Sequence, residues 1–497
     1  MLKFGMANLP KLISKTKIMQ GYQCHKQLYL SVHRKELIPP VTPELQALFD
    51  QGNHVTEEAR KRFPSGVLID NPAFDFVGSL KKTRELLSAH TETIFEAAFE
   101  YKGCYARADI ISYNPLTQRW IIREVKSTTK VKDEHLDDVG LQVWIMANAG
   151  LPIEKIVLMH LNPLCKYPDL RNLFVEEDIT DKLRGLHTSI APRLNEVFKS
   201  LRAEQVPAIS IGEHCYRPRE CQFKDHCWAE NQVPDLSVFD IPTLRQKKWE
   251  FCDKGLLKLD DIPESELDHQ QQIFLNVLKT GNRFIDRERI HSELAKWKFP
   301  LVFLDFETQS SAIPRFDGTG PFAQVPFQFS VHVLDSLDSE LRHYEYLCNE
   351  DKDPREELTP LLIEACRGVG SVVAYYSQFE AGRIQDLEDY FPHHKEELKS
   401  IRDRLVDPLP LLREAVYDRA FRESFSIKSV GPALLGDVFD YKAMTVPDGG
   451  AAQRAYAEMV DSKTSGARRE VLRNALLEYC AKDTLVMVEL VKWLYKC

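Results

Sequence analysis

The chain has 497 residues, a length that predicts two or three domains. With 43% hydrophobic and 28% charged residues, its composition is that of a soluble globular protein. The net charge of −9 argues against a protein that binds nucleic acid over its whole surface. It does not exclude a nuclease, because bound metal ions neutralise catalytic carboxylates.

The sequence also gives an expectation about cellular location. No apolar run is long enough to span a bilayer, and the segment around Lys3 and Lys11 lacks the apolar core of a signal peptide. The spacing of the eleven cysteines is irregular and unlike a secreted disulfide framework, so metal ligation is the favoured use. We therefore expect a cytoplasmic protein with no membrane segment.

The first part of the chain predicts a mixed α/β domain. The predicted elements are helices at residues 16–30 and 42–62, strands at 93–101, 105–113 and 119–125, a helix at 137–148 and a strand at 156–161. Pro43 is well placed in the first turn of the second helix, and Asn114-Pro115 marks a turn between two strands. This order is complete by about residue 165, and helical segments continue beyond it.

The middle of the chain changes character and then returns to a strand pattern. The segment after Pro234 is polar, charge-rich and helical, which predicts a helical connector. Strand signals resume at 301–304, 327–334 and 372–376, and helices continue to Lys496, which predicts a second α/β domain. The predicted divisions are residues 1–230, 231–298 and 299–497.

Three residues of the first domain form a candidate catalytic pattern. Asp109 lies on one predicted strand, and Glu124-Val-Lys126 lies on the next. Because side chains alternate along a strand, Glu124 and Lys126 point to the same face. Two carboxylates can hold a divalent metal against a phosphodiester, and a lysine can orient or activate the attacking water. In isolation the Glu-x-Lys pattern is more often a plain exposed strand face, but Arg107 and Asp109 on the adjoining strand and Gln142 on the following helix favour the catalytic interpretation.

The second domain carries its own acidic pattern. A buried strand ends in Asp305-Phe-Glu307, where two carboxylates on one face could seat metal ions. Tyr479 and Asp483 are one helical turn apart, so the tyrosine hydroxyl could position a metal-bound water. Between them, a predicted strand leads into a helix that begins near Glu380.

Four cysteines bracket the first candidate site. They are Cys24, Cys215, Cys221 and Cys227. Ligation by thiolates alone suits an iron–sulfur cluster or a zinc ion, and His214 and His226 keep zinc open as the alternative. In either case the metal would tie the two ends of the first domain together.

These motifs resemble those of a known nuclease group. Residues 1–230 resemble the PD-(D/E)XK nucleases of the RecB type, including their CRISPR-associated relatives, through residues 14–24, 49–54 and the Asp109, Glu124-Val-Lys126 pattern. The resemblance implies a PD-(D/E)XK fold, a [4Fe–4S] cluster on the four cysteines, and catalysis by Asp109, Glu124, Lys126 and Gln142. It also implies that His54, Asp109 and Glu124 bind Mg²⁺ or Mn²⁺.

Two positions depart from that pattern. The helix that carries Gln142 has Met146 where the group has a tyrosine. The spacing before His54 is short, so an exposed helix histidine is an equal alternative, with Glu57 and Glu58 as nearby substitutes.

The second domain resembles the DEDD exonucleases of the DnaQ-like, RNase H-like fold, in their tyrosine subtype. The resemblance implies Asp305, Glu307, Glu380 and Asp483 as Mg²⁺ or Mn²⁺ ligands, with Tyr479 assisting catalysis. Glu380 departs from the aspartate usual at that position. Residues 304–332 also resemble a bacterial family whose C-terminal part is labelled only as a domain of unknown function.

Together these features predict a metal-dependent nuclease with two heads acting on DNA ends or single strands, the second head a 3′–5′ exonuclease. DNA is favoured over RNA, which stays open as a substrate. One alternative is that only one head is active and the other is a binding platform; another is a non-enzymatic Fe–S adaptor that binds nucleic acid. No phosphate-binding Gly-x-x-x-x-Gly-Lys-[Ser/Thr] motif occurs, so any helicase would be a separate partner.

Three basic clusters are open to two interpretations, DNA contacts or solvated helix faces. They are Lys11-Lys15-Lys17, Lys126-Lys130-Lys132 and Arg245-Lys247-Lys248.

Overall fold

The computed structural model describes residues 11–497, with the backbone alone at residue 187, so Lys3 lies outside the described residues. The chain divides into two compact units. Unit 1 comprises Met1–Val233 and Ser311–Phe322, and unit 2 comprises Pro234–Ser310 and Ala323–Cys497. Both units combine helices with β-sheet, which confirms the prediction of a mixed α/β protein.

The strands of unit 1 form a mixed sheet in the order β2-β3-β4-β5-β6-β7, with β1 paired to β4. They are β1 (Ile13–Ser14), β2 (Val67–Leu68), β3 (Thr93–Tyr101), β4 (Cys104–Asn114), β5 (Arg119–Lys126), β6 (Ile153–Leu161) and β7 (Phe174–Asp178). Strands β3, β4 and β5 form the predicted antiparallel meander, and β6 pairs in parallel with β5.

Helices cover both faces of this sheet. They are α1 (Lys15–Gln23), α2 (His25–His33), α3 (Pro43–Arg60), α4 (Phe76–Ser88), α5 (Asp133–Asn148), α6 (Thr180–Arg184), α7 (His187–Leu201) and α8 (Lys224–Glu230). Adjacent residues of a strand point to opposite faces of the sheet. Ile111 packs with residues of α5 on one face, whereas Ile110 and Val125 pack with Val55 of α3 on the other. Burying each such side chain stabilises the fold by about 1.5–3 kcal/mol.

The predicted helix at residues 16–30 is wrong in one respect, because it is broken at Cys24. Helix α1 ends and α2 begins at this residue, whose backbone is extended. The apolar periodicity continues through the break, with Ile18 and Leu28 both fully buried, which explains why the pattern predicted one helix.

Unit 2 contains a five-stranded sheet in the order β11-β10-β9-β12-β13 and a short ribbon of β8 and β14. The strands are β8 (Phe284–Ile285), β9 (Leu301–Ser310), β10 (Gln324–Leu334), β11 (Leu341–Leu347), β12 (Val372–Val373), β13 (Leu405–Val406) and β14 (Val416–Tyr417). Strand β9 is central: it runs antiparallel to β10 on one side and parallel to β12 on the other.

The helices of unit 2 are α9 (Lys247–Asp253), α10 (His269–Thr280), α11 (Arg287–Leu294), α12 (Arg355–Ala365), α13 (Gln378–Tyr390), α14 (Lys395–Arg402), α15 (Pro408–Ala415), α16 (Ile427–Leu435), α17 (Gly449–Val460) and α18 (Gly466–Lys496). The segment predicted as a connector belongs to unit 2 from Pro234 onward. It contributes Phe251 and Phe274 to the same buried cluster as Phe303 of β9 and Val488 of α18.

The loop between β9 and β10 belongs to unit 1. Within that unit, Ala312 is buried in a cluster with Cys165, and Phe322 packs against the same cluster. The backbone N–H of Tyr167 donates to the carbonyl oxygen of Thr319 at 3.0 Å. The chain therefore leaves unit 2 after β9 and returns to it at β10.

Among residues 11–497, no helix combines the length and apolar character needed to cross a membrane.

Candidate functional site

The first site lies where the pairing of three strands is interrupted. In register, Glu96 of β3 faces Asp109 of β4, but the backbone pairing skips this position. The φ angle of Glu96 is 58°, a left-handed value that is uncommon for a glutamate and often marks functional sites. The pairing of β4 with β5 also stops one step before Glu124, and Asp109 Oδ2 accepts from the N–H of Val125 at 2.7 Å instead.

Glu124 is buried and saturated with hydrogen-bond donors. Its Oε1 accepts from the ammonium groups of Lys126 at 2.9 Å and Lys15 at 3.1 Å. Its Oε2 accepts from Gln142 Nε2 at 2.6 Å. The structure therefore brings Glu124, Lys126 and Gln142 together, with Asp109 beside them.

Two residues complete this cluster and were not predicted from the sequence. Asp138 Oδ2 accepts from Lys126 at 2.7 Å and from Lys15 at 3.0 Å. Lys15 also donates to Gln142 Oε1 at 2.6 Å. Lys15 thus fits neither interpretation of its basic cluster, since its ammonium group lies within the acidic site.

The environment shifts the pKa values of the two predicted carboxylates, Asp109 and Glu124, in opposite directions. Burial, followed by the charges of Glu124 and Glu96, raises the pKa of Asp109 to about 8. Burial alone would also raise the pKa of Glu124, but the charges of Lys126 and Lys15 outweigh it and hold that pKa below its ordinary value. Asp109 is therefore the proton-holding acid of the pair and Glu124 the ionised one.

Two parts of the nuclease pattern lie elsewhere. His54 is exposed on α3 and forms no hydrogen bond or ion pair with Asp109 or Glu124 within the described chain. Met146 is fully buried in the core under α5, so the position of the expected tyrosine is a packing position.

We expect Lys15→Met to lower the free energy of unfolding by about 1–3 kcal/mol. The variant removes one of two cations from buried carboxylates, while Lys126 still compensates part of the charge. Urea denaturation would measure the change. Lys17→Met is the matched control, because the Lys17 side chain forms no ion pair in the part of the chain that the structure describes. Equal stability of the two variants would contradict the ion-pair account.

The second site lies at the centre of the sheet of unit 2. Asp305 and Glu307 lie on β9. The chain adds β10 on one side of β9 and later adds β12 on the other side, so the direction of strand addition reverses at β9. In open α/β sheets such a switch point creates a crevice at the carboxyl ends of the parallel strands. Glu380 enters from the first turn of α13, and Asp483 comes from α18.

The turn that delivers Glu380 is held by Asp407. Its carboxylate accepts from the backbone N–H of Tyr376 at 3.1 Å and of Ser377 at 2.9 Å. The φ angle of Tyr376 is 65°, so the turn has a backbone conformation that few side chains favour. Asp407 therefore fixes the entry of the helix that carries Glu380.

Four carboxyl groups lie close together in this second site: Glu307, Glu380 and Asp483 are buried, and Asp305 is half-buried. Burial, then the charge of Asp483, raises the pKa of Glu307 to about 8. Burial first and Asp407 second raise the pKa of Glu380 to about 8. Burial and the charges of Asp483, Glu307 and Glu380 raise the pKa of Asp305 well above its ordinary value. Ionisation of all four groups would place more negative charge here than the surroundings neutralise, so these carboxyl groups tend to keep their protons when no metal is bound.

Two carboxyl oxygens of the second site lack a hydrogen-bond donor in the described part of the chain. Glu380 Oε2 and Asp483 Oδ1 are buried and have no hydrogen-bond partner among the described residues. Oxygens of Asp305 and Glu307 and the sulfur of Cys480 lie within 4.8 Å of one another. Buried acceptors without donors are costly, and a divalent cation would satisfy them.

We expect the metal-free protein to lose stability as pH rises from about 4.5 to about 8. Glu307 and Glu380 keep their protons in the folded state up to about pH 8, whereas the unfolded chain releases them near 4.5. The unfolded state then binds fewer protons, so the free energy of unfolding falls with pH. Denaturation in EDTA, compared with Glu307→Gln, would isolate this contribution, and Mn²⁺ should remove it. An identical pH dependence of both chains would contradict it.

The four predicted cysteines line one cavity in unit 1, together with Lys26 and His214. Contacts on both sides of Cys24 close this cysteine site. Gln23 Nε2 donates to the carbonyl oxygen of His214 at 2.7 Å, and Lys26 forms a 2.5 Å ion pair with Glu230. Residues around Cys24 and residues 214–230 therefore meet at this cavity.

The chemistry of these thiols suits metal binding. Burial is the main cause that raises the pKa of Cys221 to about 12, and the neighbouring cysteines add to it, so a metal would have to displace protons there. In a tetrahedral zinc site with Zn–S bonds of about 2.3 Å, the sulfurs lie about 3.8 Å apart. In the described chain, no three of the four sulfurs lie within 4.8 Å of one another.

Several residues at these sites went unpredicted. Asp138 lies one helical turn before Gln142, so it had a usable sequence signal. Lys15 and Glu96 had none, because only the fold brings them to Glu124 and Asp109.

Residues 302–426 match the family DUF2779, described as a domain of unknown function, which confirms that part of the predicted resemblance. The protein named "Uncharacterized protein UU173" from Ureaplasma parvum serovar 3 is 23% identical over 269 residues, which are 50% of this chain and 38% of that relative. The chain therefore spans well under half of the relative's length.

One solved structure, described as "Crystal structure of SSO0001", is 14% identical and has a TM-score of 0.26. The match covers 45% of this chain and 89% of that one. A TM-score of this size is too low to assign a fold.

Proposed function

We propose that this protein is a divalent-metal-dependent nuclease that hydrolyses phosphodiester bonds of DNA, with the second site as its main hydrolytic centre. The observation that carries this proposal is the group of four carboxyl groups, three of them buried, in which two oxygens have no hydrogen-bond partner among the described residues. Oxygen-rich sites of this kind suit Mg²⁺ or Mn²⁺. Without a cation the arrangement is unfavourable, which argues against a purely structural role.

The finer fold assignment belongs to the same proposal. Asp305 and Glu307 lie on the central strand of a mixed sheet, and Asp483 lies on the last helix. This arrangement supports an RNase H-like domain of the DnaQ type, and the resemblance to the DEDD exonucleases implies 3′–5′ polarity. The proximity of Glu380 to Asp305 and Glu307 supports glutamate as a working substitute for the usual aspartate.

The reaction would be hydrolysis of the terminal phosphodiester. Water adds to phosphorus, the bond to the 3′ oxygen breaks, and that oxygen takes a proton, which leaves the phosphate on the released nucleotide. When bound, the metal ions would neutralise the phosphate and activate the water. Asp305, Glu307, Glu380 and Asp483 would hold them. The pKa of Tyr479 lies above its ordinary value because of burial and then these carboxylates, so its hydroxyl stays protonated and donates.

Unit 1 supplies the second part of the proposal, a PD-(D/E)XK head formed by Asp109, Glu124, Lys126 and Gln142. One observation favours the alternative that this head binds nucleic acid without cutting it. Both oxygens of Glu124 are already occupied by donors, so a metal ion would have to displace ammonium groups. In the second site, Glu380 Oε2 and Asp483 Oδ1 have no hydrogen-bond donor among the described residues, and we therefore rank it first.

We also propose that the cysteine site holds a [4Fe–4S] cluster with a structural role. Four sulfurs around one cavity provide a suitable donor set. The resemblance of the cysteine pattern to that of the RecB-type nucleases favours the cluster over zinc. The cluster would hold the break between α1 and α2 at Cys24 against the segment around His214.

The test uses the full chain with Mg²⁺ or Mn²⁺ on end-labelled single-stranded DNA, double-stranded DNA and RNA. We expect stepwise shortening from the 3′ end that Asp305→Ala abolishes, and that is independent of Lys126→Ala. Any activity lost only in Lys126→Ala belongs to the first site. Unchanged digestion in both variants would overturn the proposal.

A further inference from the structure

Lys428 is a cation in the second site that the carboxylate pattern does not include. It lies in the first turn of α16, and its Nζ donates to Tyr479 Oη at 2.8 Å and to the carbonyl oxygen of Pro447 at 3.0 Å. Its ammonium also lies 4.8 Å from the ring centre of Tyr479 and 5.3 Å from that of Tyr441. The side chain is therefore held between two aromatic rings and two oxygen acceptors.

The direction of the Lys428–Tyr479 hydrogen bond has a chemical consequence. An ammonium group can only donate, so the phenolic oxygen of Tyr479 must be the acceptor in this bond. The O–H of Tyr479 is then directed to another acceptor. Asp483 lies one helical turn further along α18, and Glu307 is also close, so the O–H is available to an acceptor on the side of the site where these carboxylates lie.

We propose that Lys428 is a positioning residue for hydrolysis at the second site: it fixes Tyr479 so that the tyrosine O–H points at the attacking water or the phosphate. This inference rests on the proposed function and deepens it. It assigns the ammonium a role through the tyrosine rather than through direct contact with the substrate. The charge of Lys428 also lowers the pKa of Glu307 and Asp483 against the larger effect of burial, which agrees with its place beside both.

Removal of the Lys428 ammonium should have opposite effects on the rate of hydrolysis and on the affinity for Mn²⁺. Removing the ammonium should slow catalysis, because Tyr479 loses its fixed orientation. Removing a cation beside Glu307 and Asp483 should also strengthen binding of Mn²⁺ to these carboxylates. A side chain that only maintains the local structure would weaken both when removed.

The experiment is a double-mutant cycle on the full chain with Lys428→Met, Tyr479→Phe and the double variant. We expect each single variant to lower kcat about 10- to 100-fold with KM nearly unchanged, and the double variant to be no slower than either. Mn²⁺ titration calorimetry should give binding at least about threefold tighter in Lys428→Met. Lys442→Met is the matched control, since this exposed lysine lies outside the site.

Each other outcome overturns the inference in a recognisable way. Losses that multiply in the double variant would mean that Lys428 acts independently of Tyr479. Weaker Mn²⁺ binding together with slower hydrolysis would mean a structural role, and an unchanged kcat would mean no role. A wild-type chain that binds Mn²⁺ but hydrolyses nothing would overturn the proposed function as well, whereas the other outcomes leave it standing.

Discussion

We expect Asp305→Asn to lower hydrolysis at the 3′ end about 1000-fold, measured in a chain that also carries Lys126→Ala to silence the first site. Asp305 lies on the central strand and faces the three other carboxyl groups. Losing one ligand of a metal centre removes several kcal/mol of transition-state stabilisation, which corresponds to a change of this size.

The same substitution should stabilise the metal-free protein by about 1 kcal/mol, because it removes a carboxyl group whose ionisation is opposed by burial and by the neighbouring carboxyl groups. Thermal denaturation in EDTA would measure this gain. The control is Asp335→Asn, since Asp335 is exposed and pairs with Arg342. Full activity of Asp305→Asn, or lower stability of its metal-free form, would contradict our account of the second site.

We expect Cys221→Ser to cost the protein its metal and at least about 3 kcal/mol of unfolding free energy. Cys221 is buried in the cysteine site, and metal binding at such sites contributes directly to folding. The measurement is anaerobic purification of both chains, followed by visible absorption, iron and zinc analysis, and urea denaturation. Broad visible absorption and bound iron are expected for the wild type alone.

Cys348→Ser is the matched control for this experiment. Cys348 is also buried, but its sulfur donates to the carbonyl oxygen of Glu350, a bond that a serine can keep. Bound zinc in a colourless wild-type protein would overturn the cluster assignment. Equal metal content in the wild type and Cys221→Ser would overturn the site itself.

The local sequence pattern predicted secondary structure correctly where polar and apolar residues alternate along a strand or where a helix is amphipathic. The strand predicted at residues 93–101 is β3 (Thr93–Tyr101), and the helix predicted from residue 42 is α3, with Pro43 at its start. Where the apolar run ends before the strand does, the prediction was too short. The strand predicted at 301–304 extends to Ser310, because pairing with β10 continues through the polar residues of the site.

The acidic ligands were predictable because their chemistry is unusual for their position, such as two carboxylates at the end of an apolar strand. The groups that tune them were not, because they arrive from distant parts of the chain. Lys15 contacts Glu124 across 109 residues, and Lys428 contacts Tyr479 across 51. No periodicity or spacing connects such pairs; only the tertiary fold does.

The path of the chain through residues 311–322 limits how the protein can be divided. A fragment ending at Val233 would contain most of unit 1 but lack Ala312 and Phe322, which pack in its core. A fragment beginning at Pro234 would carry those apolar residues without their partners. The two units alternate along the chain in four pieces. No single truncation therefore separates two candidate enzymes, and insertion or circular permutation at this loop is the route to independent domains.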